Sequence, residues 1–116
     1  MTMPLDVLIF QQACDQKPSF DNANLYAKLI EEEYTEFREA CNNVDEVETL
    51  DACMDMIWVI LGYCYMKGYD VKGAWDEVTR SNHMKIDTET GKVKKRSDGK
   101  VLKPDGWTPP NLKPFV

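Results

Sequence analysis

The sequence predicts an all-α fold built around two long helices that form an antiparallel hairpin. Apolar residues recur at helical spacing along two long segments, and only a short polar connector separates these segments. The composition, 43% hydrophobic and 29% charged, is typical of globular proteins and excludes disorder over most of the chain. The 116 residues predict a single domain, with a helical core over about residues 5–84 and a C-terminal arm over about residues 85–116.

The first half of the chain contains signals for three successive helices. A brief amphipathic helix is expected over Leu5–Cys14, because a polar turn and Pro18 follow this apolar segment. The first long helix is expected over Asn24–Cys41, where large apolar residues recur at helical spacing. Asp45, with Glu48 three residues later, fits the capping box that begins a second long helix. The short connector requires the two long helices to run antiparallel.

The second long helix is expected to end at Lys67, since Gly68 suits a left-handed C-terminal cap. Its segment Leu50–Met66 is the most apolar of the chain, but it contains two aspartates and is short for a bilayer, so we expect a buried core helix. Asp70 suits the cap of a further helix over about Val71–Asn82. Beyond it, glycines and a Pro-rich end predict an irregular basic arm with room for one small hairpin.

Charge and residue usage exclude several classes of function. The net charge of −6 argues against a general nucleic-acid binder, although bases prevail after Lys85. A single histidine leaves little material for a zinc site or a Ser-His-Asp arrangement. The first ten residues do not resemble a secretory signal, so we expect a cytoplasmic protein. We expect its four scattered cysteines to be reduced core residues: Cys14, Cys41, Cys53 and Cys64.

Four carboxylates are expected to converge between the two long helices. Glu33 and Glu36 share one stripe of the first helix with apolar residues on either side. Asp51 and Asp55 are the only charged residues of the segment Leu50–Met66 and share a face of the second helix. Like charges in a partly desolvated space repel unless a proton or a cation intervenes. We therefore predict a divalent cation there.

The donor atoms of this predicted site narrow the choice of metal. Carboxylate oxygens without His or Cys ligands select Mg²⁺, Mn²⁺ or Ca²⁺, and Mg²⁺ commonly keeps positions for substrate phosphates. Glu32, about 100° round the helix from Glu33, is a further candidate for the metal shell. Solvent-exposed helix acids are common, however, and Glu48 has the alternative role of helix cap.

The acids stand in motifs that resemble a known superfamily. The run Glu32-Glu33-Tyr34-Thr35-Glu36, followed on the next helix by Asp51-Ala52-Cys53-Met54-Asp55, resembles the E-E-x-x-E and E-x-x-D motifs of the MazG-like all-α nucleoside triphosphate pyrophosphohydrolases. Two later strings look like the compact phage and bacterial branch, related to phosphoribosyl-ATP pyrophosphohydrolase and the dimeric dUTPases: Val78-Thr79-Arg80-Ser81-Asn82-His83-Met84-Lys85 and Asp98-Gly99-Lys100-Val101-Leu102-Lys103-Pro104. The resemblance covers about Leu25 to Leu112. One departure is Ala52, which stands where the motif has an acid, so either Asp51 or Glu48 would complete the metal shell.

The resemblance implies roles for individual residues. Glu33, Glu36 and Asp55 match the superfamily's catalytic metal ligands, with Glu32 and Asp51 as further candidates. Arg80, Asn82 and Lys85 match its triphosphate contacts, and Lys94, Arg96 or Lys100 of the arm could close on the phosphates from the same or a neighbouring subunit. Phe10, Gln11, Trp58 and Trp75 are candidates for contacts with the base, although aromatic residues at helical spacing are more often core.

The expected activity is Mg²⁺-dependent hydrolysis of a (deoxy)nucleoside triphosphate to the monophosphate and pyrophosphate, with Mn²⁺ as a substitute metal. The resemblance further implies a dimer or tetramer, and dGTP or GTP in phage nucleotide-pool control is the suggested substrate. Alternatives are activity on dUTP, dCTP or phosphoribosyl-ATP, or a metal-dependent nucleotide sensor without turnover. A di-iron bundle is disfavoured, since the carboxylate helices contain no histidine. Neither nucleic acid nor a membrane is an expected partner.

Overall fold

The computed structural model describes residues 3–116, and among them the regular elements are helical. The all-α prediction is therefore confirmed, and α2 packs along α3 as the predicted hairpin requires. A short 3₁₀ turn near the C terminus follows the four α-helices. In chain order the elements are α1 (Met3–Ala13), α2 (Phe20–Asn42), α3 (Glu46–Met66), α4 (Val71–His83) and the 3₁₀ turn Lys113–Phe115.

Local capping bonds set the ends of the hairpin helices. Helix α2 begins four residues earlier than predicted, because the Ser19 hydroxyl accepts a hydrogen bond from the Asn22 N–H at 3.0 Å. At the start of α3, the Asp45 carboxylate accepts from the Glu48 N–H at 3.1 Å, as the capping box predicts. The Asp45 N–H donates to the Ala40 carbonyl at 3.0 Å, so the connector is fastened to the end of α2 as well.

The core of the hairpin depends on a close approach at Gly62. Tyr26 of α2 is buried, and a Cβ added at Gly62 of α3 would lie 2.3 Å from the Tyr26 ring. From α1, the fully buried Gln11 donates from Nε2 to the Gly62 carbonyl at 3.0 Å. Glycine at this position therefore lets all three helices of this part meet. Gln11 is a core residue here, which contradicts the prediction that it contacts a base.

Only one face of helix α3 is buried in the single chain. The prediction that the whole helix is buried in the core is therefore wrong. Its buried residues are Ala52, Val59, Gly62 and Met66, whereas Leu50 is 62% exposed. The cysteines are free as predicted, but two are exposed and two half-buried, which corrects their assignment to the core. Within residues 3–116, no helix is both long enough and apolar enough to span a membrane.

The chain divides into two compact units, Met1–Val71 and Lys72–Val116. In the second, α4 is followed by two tight turns, and each is closed by one isolated antiparallel bridge, Ile86 with Val93 and Lys95 with Val101. Glycines with positive φ shape these turns, as expected of an irregular arm. The tail that follows these turns (residues 107–111) is hydrogen-bonded to α4, because Trp107 Nε1 donates to the Ser81 carbonyl at 2.7 Å.

Candidate functional site

Three carboxylates from α2 and α3 meet at one point of the hairpin. Glu33 and Glu36 project from α2 and Asp55 from α3, and one oxygen from each lies within 4.8 Å of the others. Glu33 and Asp55 are half-buried and Glu36 is exposed. The two stripes expected from the helical spacing therefore converge, and these three carboxylates are close enough to share one cation.

Mutual repulsion and burial both act on Glu33. Desolvation raises the pKa of Glu33 most, and a hydrogen bond with Glu36 and the charges of Glu36, Asp55 and Asp51 raise it further, to about 7. Its Oε2 atom is buried and has no hydrogen-bond partner among the described residues. A buried carboxylate oxygen without a donor is unfavourable unless a cation or proton approaches it.

Asp51 belongs to this cluster electrostatically, although it is exposed and lies outside the group of three. Desolvation raises the pKa of Asp55, and the charge of Asp51 and a hydrogen bond with it add to the effect. Glu48 does not contribute to either shift and lines an open acidic groove with Asp51. The structure therefore couples Asp51, more than Glu48, to the central carboxylates, whereas Glu32 is exposed and outside the group.

The donor set fits a hard divalent cation. Its atoms are carboxylate oxygens, its charges raise one another's pKa, and one of its oxygens is an orphan acceptor. Glu33, Glu36 and Asp55 would hold the ion, with Asp51 beside them. Their roles as ligands stay predictions.

An apolar groove lies in the same unit as the acids. The Phe10 and Trp58 rings meet edge to face with their centroids 5.6 Å apart. Together with Ile9, Ala13 and one acid, Asp6, they line a groove of roughly 430 Å³. Phe10 is 51% exposed and Trp58 36%, so neither is a core residue. Trp58 follows Asp55 by three residues and is therefore its neighbour on the surface of α3.

The residues predicted to contact phosphates belong to the second unit, where Arg80, Lys85 and Arg96 have side-chain partners. Arg80 forms an ion pair with Glu77 one turn earlier on α4. Lys85 Nζ donates to the Asn82 side-chain carbonyl at 3.1 Å. In the arm, Arg96 pairs with Asp98 at 2.6 Å, and Lys94 is exposed. Trp75, another candidate for base contact, is 71% exposed on α4.

Two features of this second unit were not among the predictions from the sequence. One is Glu77, although an acid three residues before Arg80 on a helix is a recognisable pairing signal. The other is the bond from Trp107 to α4, whose partner is the backbone carbonyl of a residue 26 positions earlier.

A family model for phosphoribosyl-ATP pyrophosphohydrolase matches residues 7–82, which include α2, α3 and all of the clustered acids. The chain belongs to this family. It is thus a member of the MazG-like all-α superfamily, as its motifs indicated, and a pyrophosphohydrolase that acts on the acid anhydride bonds of nucleotides. A search of curated proteins found no match. The matched segment ends before the arm.

Proposed function

We propose that this pyrophosphohydrolase hydrolyses (deoxy)nucleoside triphosphates to the monophosphate and pyrophosphate in a Mg²⁺-dependent reaction. The observation that carries the proposal is the meeting of Glu33, Glu36 and Asp55 within 4.8 Å at one point between two helices. Three carboxylates so close together destabilise the folded protein when no cation is bound. Proteins normally bind a nucleoside triphosphate together with a divalent cation.

The chain's own carboxylates would hold and orient the reacting groups. Glu36, Asp55 and Asp51 keep negative charge near Glu33 and thereby raise its affinity for a proton. Because its pKa is about 7 in the metal-free protein, Glu33 would give up a proton when the cation binds and would then serve as one of its ligands. When bound, Mg²⁺ would supply positive charge to the triphosphate and the leaving pyrophosphate.

The groove between Phe10 and Trp58 supports a nucleotide over a simple polyphosphate. Half-exposed aromatic rings offer faces and edges on which a base packs, and Trp58 neighbours Asp55 on α3. This geometry does not discriminate between bases. A guanine nucleotide, and a role in phage nucleotide pools, rest on the resemblance noted in the sequence.

We also propose self-association as a dimer or tetramer. Leu50, Met54 and Ile57 are exposed and share one face of α3, and an apolar face of this kind is usually covered by another chain. Light scattering after size exclusion would measure the mass, and Leu50→Glu should shift it towards the 13.4 kDa of the single chain. A monomeric parent protein would contradict this part of the proposal.

The activity is tested with a nucleotide panel. The protein is incubated with Mg²⁺ and each common NTP, dNTP and phosphoribosyl-ATP, and the monophosphate, diphosphate, phosphate and pyrophosphate products are separated. We expect monophosphate and pyrophosphate, and in ¹⁸O-labelled water the label should appear in the monophosphate, since water attacks the α-phosphorus. Label in pyrophosphate would contradict attack at that atom, and release of phosphate with a diphosphate would contradict the reaction itself.

The panel also addresses the alternatives. Turnover confined to phosphoribosyl-ATP would move the substrate to the one named by the matching family. Binding of Mg²⁺ and nucleotide without any turnover would favour a sensor. Replacement of Mg²⁺ by Mn²⁺ should retain activity, because both ions accept carboxylate and phosphate oxygens.

A further inference from the structure

The C-terminal tail, residues 107–111, lies along α4 and is held there by direct bonds. Trp107 Nε1 donates to the Ser81 carbonyl at 2.7 Å, and the Ser81 hydroxyl donates to the Thr108 carbonyl at 2.9 Å. Ser81 is only 2% exposed, so this reciprocal pair is shielded from water. These contacts define a docked position for the tail within the second unit.

The same tail accepts two hydrogen bonds from Arg80. Its Nη1 donates to the Thr108 hydroxyl at 3.2 Å and its Nη2 to the Pro109 carbonyl at 3.4 Å. Its Nε donates to Glu77, whose carboxylate also accepts from the Asn111 N–H at 3.0 Å. Each nitrogen of the guanidinium is therefore engaged, and the acceptors from the tail are neutral.

The tail also lies against the second predicted phosphate contact. Lys85 Nζ lies 5.3 Å from the centroid of the Trp107 ring, and Lys103 Nζ lies 4.6 Å from it. Both distances are within the range of a cation–π interaction. Two of the three residues that the superfamily resemblance assigns to the triphosphate, Arg80 and Lys85, are thus in contact with one short segment.

We propose that the docked tail and a polyphosphate compete for Arg80 and Lys85, so that the substrate's phosphates bind as the tail leaves α4. This inference rests on the proposed function and on the predicted role of these two residues as phosphate contacts. The tail is then a conformational gate, and its docking equilibrium sets part of the apparent affinity.

Competition fits the contacts better than a supporting role for the tail. Guanidinium bonds to phosphate oxygens are charge-assisted and roughly twice as strong as bonds to neutral acceptors. The bonds from Arg80 to Thr108 and Pro109 are long, at 3.2 and 3.4 Å, and are the ones a phosphate would replace. Glu77 accepts from Nε and also, at 3.4 Å, from Nη2, so Arg80 keeps its place on α4 during the exchange.

Trp107 reports the docked state directly. The chain has three tryptophans, so the double variant Trp58→Phe, Trp75→Phe leaves Trp107 as the only one. Inorganic tripolyphosphate, which lacks a base, is titrated into this full-length protein with Mg²⁺, while fluorescence and heat are recorded. We expect a red shift of the emission that follows the binding isotherm, and loss of this shift in Arg80→Gln. Binding without any change in emission, or no binding at millimolar concentration, would overturn the proposal.

The direction in which KM changes when docking is weakened shows whether the tail competes with the substrate or supports its binding. Ser81→Ala removes the bond to the Thr108 carbonyl, and weaker docking should lower KM for a nucleoside triphosphate by up to about fivefold, with kcat unchanged. Ser97→Ala, which removes a hydroxyl from an exposed turn, is the matched control and should leave KM unchanged. A raised KM in Ser81→Ala would show that the tail supports substrate binding and would refute competition.

The two proposals fail in different ways. If the parent protein turns over nucleotides but tripolyphosphate leaves Trp107 unchanged, the tail proposal falls and the activity stands. If tripolyphosphate shifts the emission but no nucleotide is hydrolysed, the proposed reaction falls and the competition stands.

Discussion

The two units of the chain differ in the neighbours of their acidic residues. In the unit ending at Val71, acids of α2 and α3 lie beside one another and raise the pKa of Glu33 and Asp55. In the unit beginning at Lys72, acids lie beside bases, and Arg80 lowers the pKa of Glu77 as Arg96 does that of Asp98. The first arrangement is repulsive until a proton or a cation binds, whereas in the second each of these two acids already has a basic partner.

This contrast teaches how to separate functional charge from structural charge. Exposed ion pairs between neighbouring residues contribute little to stability and are common on surfaces. A group of like charges from two helices opposes folding, so its presence calls for a ligand that compensates it. Removing one charge should therefore have opposite consequences in the two units.

The largest expected effect is on turnover in the acid cluster. Asp55→Asn and Glu33→Gln should each lower kcat/KM by about a thousandfold or more, because the cation loses a ligand. The free energy of unfolding without metal should stay the same or rise in both variants, since repulsion falls. Kinetics with the best substrate and chemical denaturation in EDTA measure the two quantities.

The controls come from both units. Asp76→Asn breaks the exposed pair with Lys72, and should change stability by less than about 1 kcal/mol and activity very little. Glu31→Gln removes an exposed acid from α2 itself. Full turnover in Asp55→Asn would remove that residue from the metal site.

The next effect is on the packing that brings the acids together. Gly62→Ala would place a methyl group 2.3 Å from the Tyr26 ring, and should destabilise the protein by about 1–3 kcal/mol or more. Gly68→Ala is the comparison variant, because its Cβ meets nothing within 4 Å and only the positive φ of 75° opposes it, which costs roughly 1 kcal/mol. Equal melting temperatures for the two variants would contradict the close approach at Gly62.

The metal-free stability of the protein should depend on the protonation of Glu33 in the first unit. The pKa of Glu33 is about 7 in the folded protein against an ordinary value of 4.5, so the folded state holds its proton longer than the unfolded state. Stability in EDTA should therefore fall as pH rises from about 4.5 to 7. Glu33→Gln should flatten this slope, and Mg²⁺ should restore stability at pH 8. A melting temperature that rises across this window, or one that Mg²⁺ leaves unchanged at pH 8, would argue against a coupled cluster.

The smallest effect is expected at the aromatic groove. Trp58→Ala should raise KM for the nucleotide several-fold and leave kcat nearly unchanged, because it removes a surface for the base and keeps the carboxylates. Phe20→Ala, an exposed aromatic residue at the start of α2, is the matched control and should have no effect on KM. Inhibition by tripolyphosphate should be equal in both variants. A change confined to kcat in Trp58→Ala would argue against its contact with the base.

The sequence by itself determined the helices and the acid stripes. Caps at Asp45 and Gly68 are local signals, and a spacing of three or four residues places side chains on one helix face wherever the helix goes. Glu33, Glu36 and Asp55 were therefore predictable as a converging group. The start of α2 at Phe20 was predictable too, since Ser19 is a typical N-cap, although the apolar pattern pointed further along the chain.

Only the tertiary structure decided which neighbours these residues have. It left much of α3 exposed in the single chain and placed Gln11 in the core against the Gly62 carbonyl. It also brought the tail onto Arg80. These outcomes depend on contacts between residues 25 or more positions apart, or on which helix face another element covers. Helical periodicity fixes the direction of a side chain, whereas packing chooses what it meets.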